Sequence, residues 1–215
     1  MGPWCTSRRK AVAAFPSCST AGCSTRLMTC ASPGIAQELP AEEFRPIYVD
    51  HRGLGRSDKP HDPAAYVMAM RVEDAVAVLD ELGIERAHFV GMSWGGRLGF
   101  GIGEHASERV LSLIIGGQQP YEWPDSPITR VVTQGLSASR THDTEGLVEA
   151  FEAFWGVRFP DDRRARWVDN DPAALQAAWT TALAEGPISN NLPLRRAHQS
   201  RGSPARPRSA NATSQ

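Results

Sequence analysis

Val90-Gly91-Met92-Ser93-Trp94-Gly95-Gly96 follows a short apolar run and opens a helical pattern. It is a G-x-S-x-G turn with a third small residue behind it, set where a strand over 87–92 hands over to a helix from 94 to about 105. A serine hydroxyl is a poor nucleophile. To react it must be held clear of its backbone, near a base, with amide N–H groups aimed at the developing oxyanion. A tight bend does this only if its neighbours lack side chains that would collide, and Gly91, Gly95 and Gly96 meet that condition. The alternative is a glycine-rich βα turn that happens to hold a serine.

The pattern outward from this turn alternates strand and helix. Residues 47–49 read as a strand, followed by the loop Asp50-His51-Arg52-Gly53-Leu54-Gly55-Arg56-Ser57-Asp58. Val72, Ala75, Val76, Leu79 and Leu82 recur at helical spacing, with Arg71, Glu73, Asp74, Asp80 and Glu81 on the opposite face. Gly83 sits at the C′ position that ends such a helix. Residues 110–115 are a continuous apolar run, which suits a parallel strand covered on both faces. Alternation of this kind implies an α/β fold with a parallel sheet. From about Trp123 the pattern becomes helical. Leu147, Val148, Phe151, Phe154 and Trp155 form one stripe, and Asp171-Pro172 starts a helix that runs to Gly186. Helices inserted after a strand suggest a lid over a pocket. Trp155, Trp167 and Trp179 read as packing residues rather than substrate contacts.

Charge divides the chain differently. The 215 residues carry a net charge of −1, yet all 24 acidic residues lie between Glu38 and Glu185. Residues 1–32 hold four basic side chains and all four cysteines (Cys5, Cys18, Cys23, Cys30), and 193–215 hold five arginines, with no acid in either stretch. An export signal is disfavoured, because the apolar stretch 11–15 is shorter than the roughly 7–15 residues required. The cysteine spacings of 13, 5 and 7 match no metal or redox motif. The basic tail has no aromatic residue for base stacking, so nucleic acid is not an expected partner. No apolar run approaches the roughly 18 residues of a membrane span. These features lead to an expected cytoplasmic location. The expected organisation is a disordered segment over 1–33, an α/β core over 34–122, a helical lid over 123–192 and a disordered tail over 193–215.

Residues of about 34–192 resemble the α/β-hydrolases of the lid-bearing esterase, lactonase and perhydrolase group. The resemblance is carried by 48–57, by Val76, Leu79, Asp80, Leu82, Gly83 and Ile84, by Gly91-Met92-Ser93-Trp94-Gly95-Gly96, and by Glu108-Arg109-Val110. It implies that Ser93 is the nucleophile, that the Trp94 N–H is one oxyanion donor, and that Arg52 and Gly53 are mostly structural. It implies no metal or organic cofactor and a small ester or lactone substrate. Haloalkane dehalogenation is disfavoured, since that chemistry needs a carboxylate where Ser93 stands.

The family pattern is incomplete at both ends. No His-Gly oxyanion segment is found in 1–45. Residues 187–215 contain no acid and one histidine, His198. A shifted reading frame or mis-assigned gene ends would produce this. His51 could reach the pocket mouth, His88 is expected to be packed or at an edge, and His105 closes a helix. His61 and His142 lie in polar loops, and none has the chain position of the base. Glu122 and Asp125 are the candidates for an acid after the 110–115 strand. The strand the family places between 47–49 and 87–92 is also not found, which leaves a gap that 11–15 or 26–30 would have to fill. The expectations are an impaired hydrolase, poor solubility or a partly open sheet. A non-catalytic binding protein and a non-functional gene fragment stand as alternatives.

Overall fold

Four parallel strands form the sheet of the computed structural model, in the order β2-β1-β3-β4. The structure describes residues 10–15 (backbone), 43–119, 126–139, 144–186 and 188. The strands are β1 (Lys10–Phe15), β2 (Phe44–Tyr48), β3 (Ala87–Met92) and β4 (Val110–Gly116). Helix α1 (Met68–Glu81) links β2 to β3, and α2 (Trp94–His105) links β3 to β4. Four further helices follow: α3 (Pro127–Ala138), α4 (Glu145–Trp155), α5 (Asp161–Val168) and α6 (Pro172–Glu185).

The expected gap beside β3 is closed. β1 lies between β2 and β3, pairing Ala13 with Ile47 on one side and with Phe89 on the other. The segment read as irregular over 1–33 thus contributes one strand, and its other residues, the cysteines included, lie outside the described residues. The six residues of β1 satisfy backbone groups on both neighbours, so little sequence alternation is needed to hold them there.

The covering of the sheet differs from the expectation at β4. Leu111 and Ile114 are 44% and 53% exposed, so the apolar run is not buried on both faces. Among the described residues β4 is the last strand of its sheet, and no strand shields its far side.

Helix α1 follows the periodicity of its sequence. Met68, Val72, Ala75 and Leu79 are buried against Ile47, Phe89, Leu98 and Ile102. Gly83, at φ 65°, terminates it, and Ile84 N–H returns to the Leu79 carbonyl. Arg71 departs from the expected polar face, being only 3% exposed. Its guanidinium lies 4.4 Å over the Trp94 ring, which provides a cation–π seat that periodicity does not report.

The later helices form a second apolar cluster of Leu136, Leu147, Val148, Phe151, Phe159 and Trp179, against which Trp94 packs. The stripe read on α4 divides. Leu147, Val148 and Phe151 are buried, whereas Phe154 and Trp155 are 43% and 47% exposed. Helix α6 starts as its sequence predicts, with Pro172 in the first turn and the Asp171 carboxylate accepting from Ala174 N–H at 3.0 Å. Arg97 of α2 donates to the carbonyls of Ala182 (3.2 Å) and Gly186 (3.0 Å), fastening the end of α6 to the helix behind Ser93.

Candidate active site

Ser93 occupies the sharp corner between β3 and α2. Its backbone sits at φ 51° and ψ −110°, and it is the only non-glycine residue at positive φ among those described. A strained conformation of this kind costs of order 1–3 kcal/mol and persists only where the surroundings enforce it. They do so here. Ser93 N–H donates to the Gly116 carbonyl at 2.8 Å, and the Ser93 carbonyl accepts from Arg97 N–H at 2.9 Å. A Cβ on Gly91 would lie 2.2 Å from the Gly95 carbonyl oxygen, so the approach of the two arms of the turn requires glycine there.

Helix geometry then supplies donors. The first N–H groups of a helix have no intrahelical acceptor, and α2 opens at Trp94, immediately after the serine. The partial positive charge of that terminus favours an anion beside it. The site lies at the carboxyl ends of parallel strands, where the strand order doubles back between β1 and β3. Open α/β sheets bind ligands at such a switch point.

Ser93 is exposed to a cavity of about 1180 Å³. Met92, Trp94 and Gln118 line it near the sheet, and Ile128, Val132 and Leu136 of α3 line it at i, i+4 and i+8. Phe151, Phe154 and Trp155 of α4, Phe159, Trp167 of α5 and Trp179 of α6 complete an aromatic wall. The three tryptophans read as packing residues therefore also face this space. Trp179 does both, being buried in the helical cluster with its Nε1–H donating to Thr133 Oγ1 at 3.0 Å. Among the described residues, the charged side chains on the lining are Arg52, Arg158 and Arg163, with no carboxylate. Arg52 is held by Asp74 in a bidentate pair at 2.6 and 2.8 Å that ties the 50–58 loop to α1, the structural role expected of it.

No histidine lines the cavity among the described residues. His51 does not reach its mouth. It is buried, and that burial, reinforced by the nearby Arg71 charge, lowers its pKa to about 3. An imidazole so hard to protonate is a weak base. His88 Nδ1 lies 2.8 Å from Ser112 Oγ, and its ring meets Phe44 edge-on, so it is packed within the sheet. His61 is more than a loop residue, since its Nε2 lies 2.9 Å from the Asp171 carboxylate at the start of α6. His105 is in the last turn of α2. His142, His198, Glu122 and Asp125 lie outside the described residues. Burial, with repulsion from Arg97 next, also brings the Arg71 pKa down to about 10, so that guanidinium stays charged at neutral pH beneath Trp94.

Sequence reasoning missed two sets of lining residues. The α3 stripe was legible in the i, i+4, i+8 spacing of Ile128, Val132 and Leu136. Gln118 carried a topological signal, because it follows a parallel strand just as Ser93 does.

The family model described as alpha/beta hydrolase fold matches residues 22–198. The chain belongs to the α/β hydrolase fold family. A Caulobacter sp. (strain K31) protein provisionally named carbamate hydrolase RutD is 31% identical over 134 residues, which are 62% of this chain and 46% of that protein. The 2-hydroxymuconate semialdehyde hydrolase of Pseudomonas sp. (strain CF600) is 37% identical over 98 residues, 46% of this chain and 32% of that one. Among solved structures, the enol-lactonase from Burkholderia xenovorans LB400 superposes with a TM-score of 0.60 at 21% identity, covering 80% of this chain and 64% of that chain. That likeness shows the α/β hydrolase fold. The chain spans less than half the length of these curated relatives. Among the described residues no group of three or more His, Cys, Asp or Glu is placed to hold a metal ion, and no helix is long and apolar enough to cross a membrane.

Proposed function

We propose that this α/β hydrolase acts on a small ester or lactone through an acyl-Ser93 intermediate, and that the chain by itself turns over slowly. The observation carrying the proposal is the enforced left-handed corner at Ser93, opening onto an apolar cavity beside the start of α2. Ser93 Oγ attacks the carbonyl carbon and its proton passes to water, which returns one to the departing alkoxide. The oxyanion is met by the Trp94 N–H. Collapse expels the alcohol, and water then attacks the acyl carbon, regenerating Ser93 and releasing the acid. The aromatic wall takes up the apolar part of the substrate.

Slow turnover follows from the absence of a cavity-lining histidine among the described residues. Removing the base of a serine hydrolase costs on the order of 10⁶ in rate, and one oxyanion donor about 10²–10³. The same observation supports ligand binding without turnover as the second reading. A serine-directed alkyl phosphonate, followed by peptide mapping, tests the assignment. Adduct on Ser93 that is lost in Ser93→Ala supports the acyl-serine reading and, by showing an activated hydroxyl, contradicts slow turnover. A wild-type chain that resists labelling supports slow turnover. Labelling that persists in Ser93→Ala places the reactive group elsewhere.

A further inference from the structure

Resting on that reading of the cavity, we propose that Trp155 is its specificity-determining side chain, its indole stacking on a flat aromatic ring carried by the ester or lactone. The end of α4 brings it there. Phe151 and Trp155 stand one turn apart on α4, and side chains on a helix lean toward its N-terminus, so Trp155 lies back on Phe151. The two rings are stacked, 5.0 Å apart and 9° from parallel. Gly156, at φ 66°, ends the helix directly after Trp155, so no further turn follows to cover the other side of the indole. The chain bends back instead, with Val157 N–H donating to the Glu152 carbonyl at 3.2 Å and Phe159 N–H to Glu152 Oε1 at 2.8 Å.

The indole is thus stacked on one side only. Phe154 meets it edge-on at 61° and Phe159 lies tilted at 40°, so among the described residues Phe151 is the one ring parallel to it. Trp155 lines the cavity and is 47% exposed, whereas Phe151 beneath it is buried in the helical cluster. Ile128, Phe154 and Val157 are exposed on the same lining, so apolar surface continues around the indole. Exposed apolar surface gathered at a cavity marks a place that a ligand covers. A flat ring set against the open side continues the order Phe151, Trp155, ligand at the offset-stacked spacing that aromatic pairs prefer. A saturated ring of the same size buries similar area but is puckered and forgoes that stacking. The site therefore selects aromatic over alicyclic substrates at Trp155.

The test is a thermodynamic cycle on ligand and residue. Benzylacetone and 4-cyclohexylbutan-2-one share a ketone and a chain and differ in whether the ring is flat. Equilibrium dialysis measures the affinity of each for the wild-type chain, Trp155→Leu and Trp155→Phe. The ratio of aromatic to saturated affinity should fall roughly 3- to 10-fold in Trp155→Leu, the effect of one aromatic pair beyond its buried area. Trp155→Phe keeps a stacking face and should hold the ratio within about twofold of wild type. A second measurement needs no variant to bind: in the wild-type chain with ¹⁵N-labelled indoles, the Trp155 signal, identified as the one missing from Trp155→Phe, should shift more with benzylacetone than with the saturated ketone. A ratio unchanged in Trp155→Leu, an equal loss in Trp155→Phe, or a Trp155 signal that bound benzylacetone leaves in place overturns the stacking role and leaves the cavity reading intact. Failure of both ketones to bind the wild-type chain overturns the cavity reading and the proposal with it.

Discussion

At the scale of single residues, the structure turns on groups held where their intrinsic preferences would not put them. Ser93 is an L-residue in a conformation that favours glycine, enforced by its two backbone hydrogen bonds and by the bare Cα of Gly91. His51 is the second case. Its pKa falls from 6.5 to about 3 mainly through burial, with the Arg71 charge adding to it. The unfolded chain therefore binds a proton near pH 6.5 that the folded chain refuses until about pH 3. The stabilisation is complete above pH 6.5 and is lost as pH falls through that window, by up to about 1.4 kcal/mol per pH unit. Urea midpoints between pH 7 and 5, above most carboxylate titration, should decline for the wild-type chain and stay nearly flat for His51→Gln. Equal slopes in the two proteins would show that His51 titrates normally. The serine was legible in the sequence because glycines at fixed offsets are a direct signature of a tight corner. The burial of Arg71 and His51 was not, since each depends on a partner more than twenty residues away or on a loop's depth, and helical periodicity reports neither.

At the scale of elements, boundaries were readable wherever a residue with one physical job stood at an end. Gly83 closes α1, and Asp171 with Pro172 opens α6, as their chemistry requires. Asp171→Ala should cost about 1 kcal/mol in a urea titration, the usual worth of an N-cap. His61→Ala should cost well under that, since His61 touches the cap as an exposed partner. Comparable losses in both would move the stabilisation from the cap to the ion pair. β1 was the least legible element. Its residues neither alternate nor carry a turn signal, and its place comes from the open edges of β2 and β3 rather than from its own pattern. The α4 stripe erred the opposite way, because periodicity identifies an apolar face without saying whether core or cavity lies against it.

At the scale of the whole molecule, an α/β layer positions the nucleophile and a helical layer builds the wall above it, with Arg97 and Trp94 reaching from the first layer into the second. The lining of the cavity between the layers was not legible in the sequence, because lining depends on how two independently patterned layers meet. β4, with Leu111 and Ile114 exposed, marks where the described sheet stops. The proposed chemistry needs Ser93 as the reacting group, and no imidazole among the described residues shares its cavity. Steady-state hydrolysis of p-nitrophenyl butyrate by the wild-type chain and by Ser93→Ala tests both at once. Turnover should lie well below about 1 per second, outside the ordinary enzyme range, with the residual rate falling to the solvent background in Ser93→Ala. Turnover above that value, or an equal rate in the two proteins, would contradict the proposed chemistry.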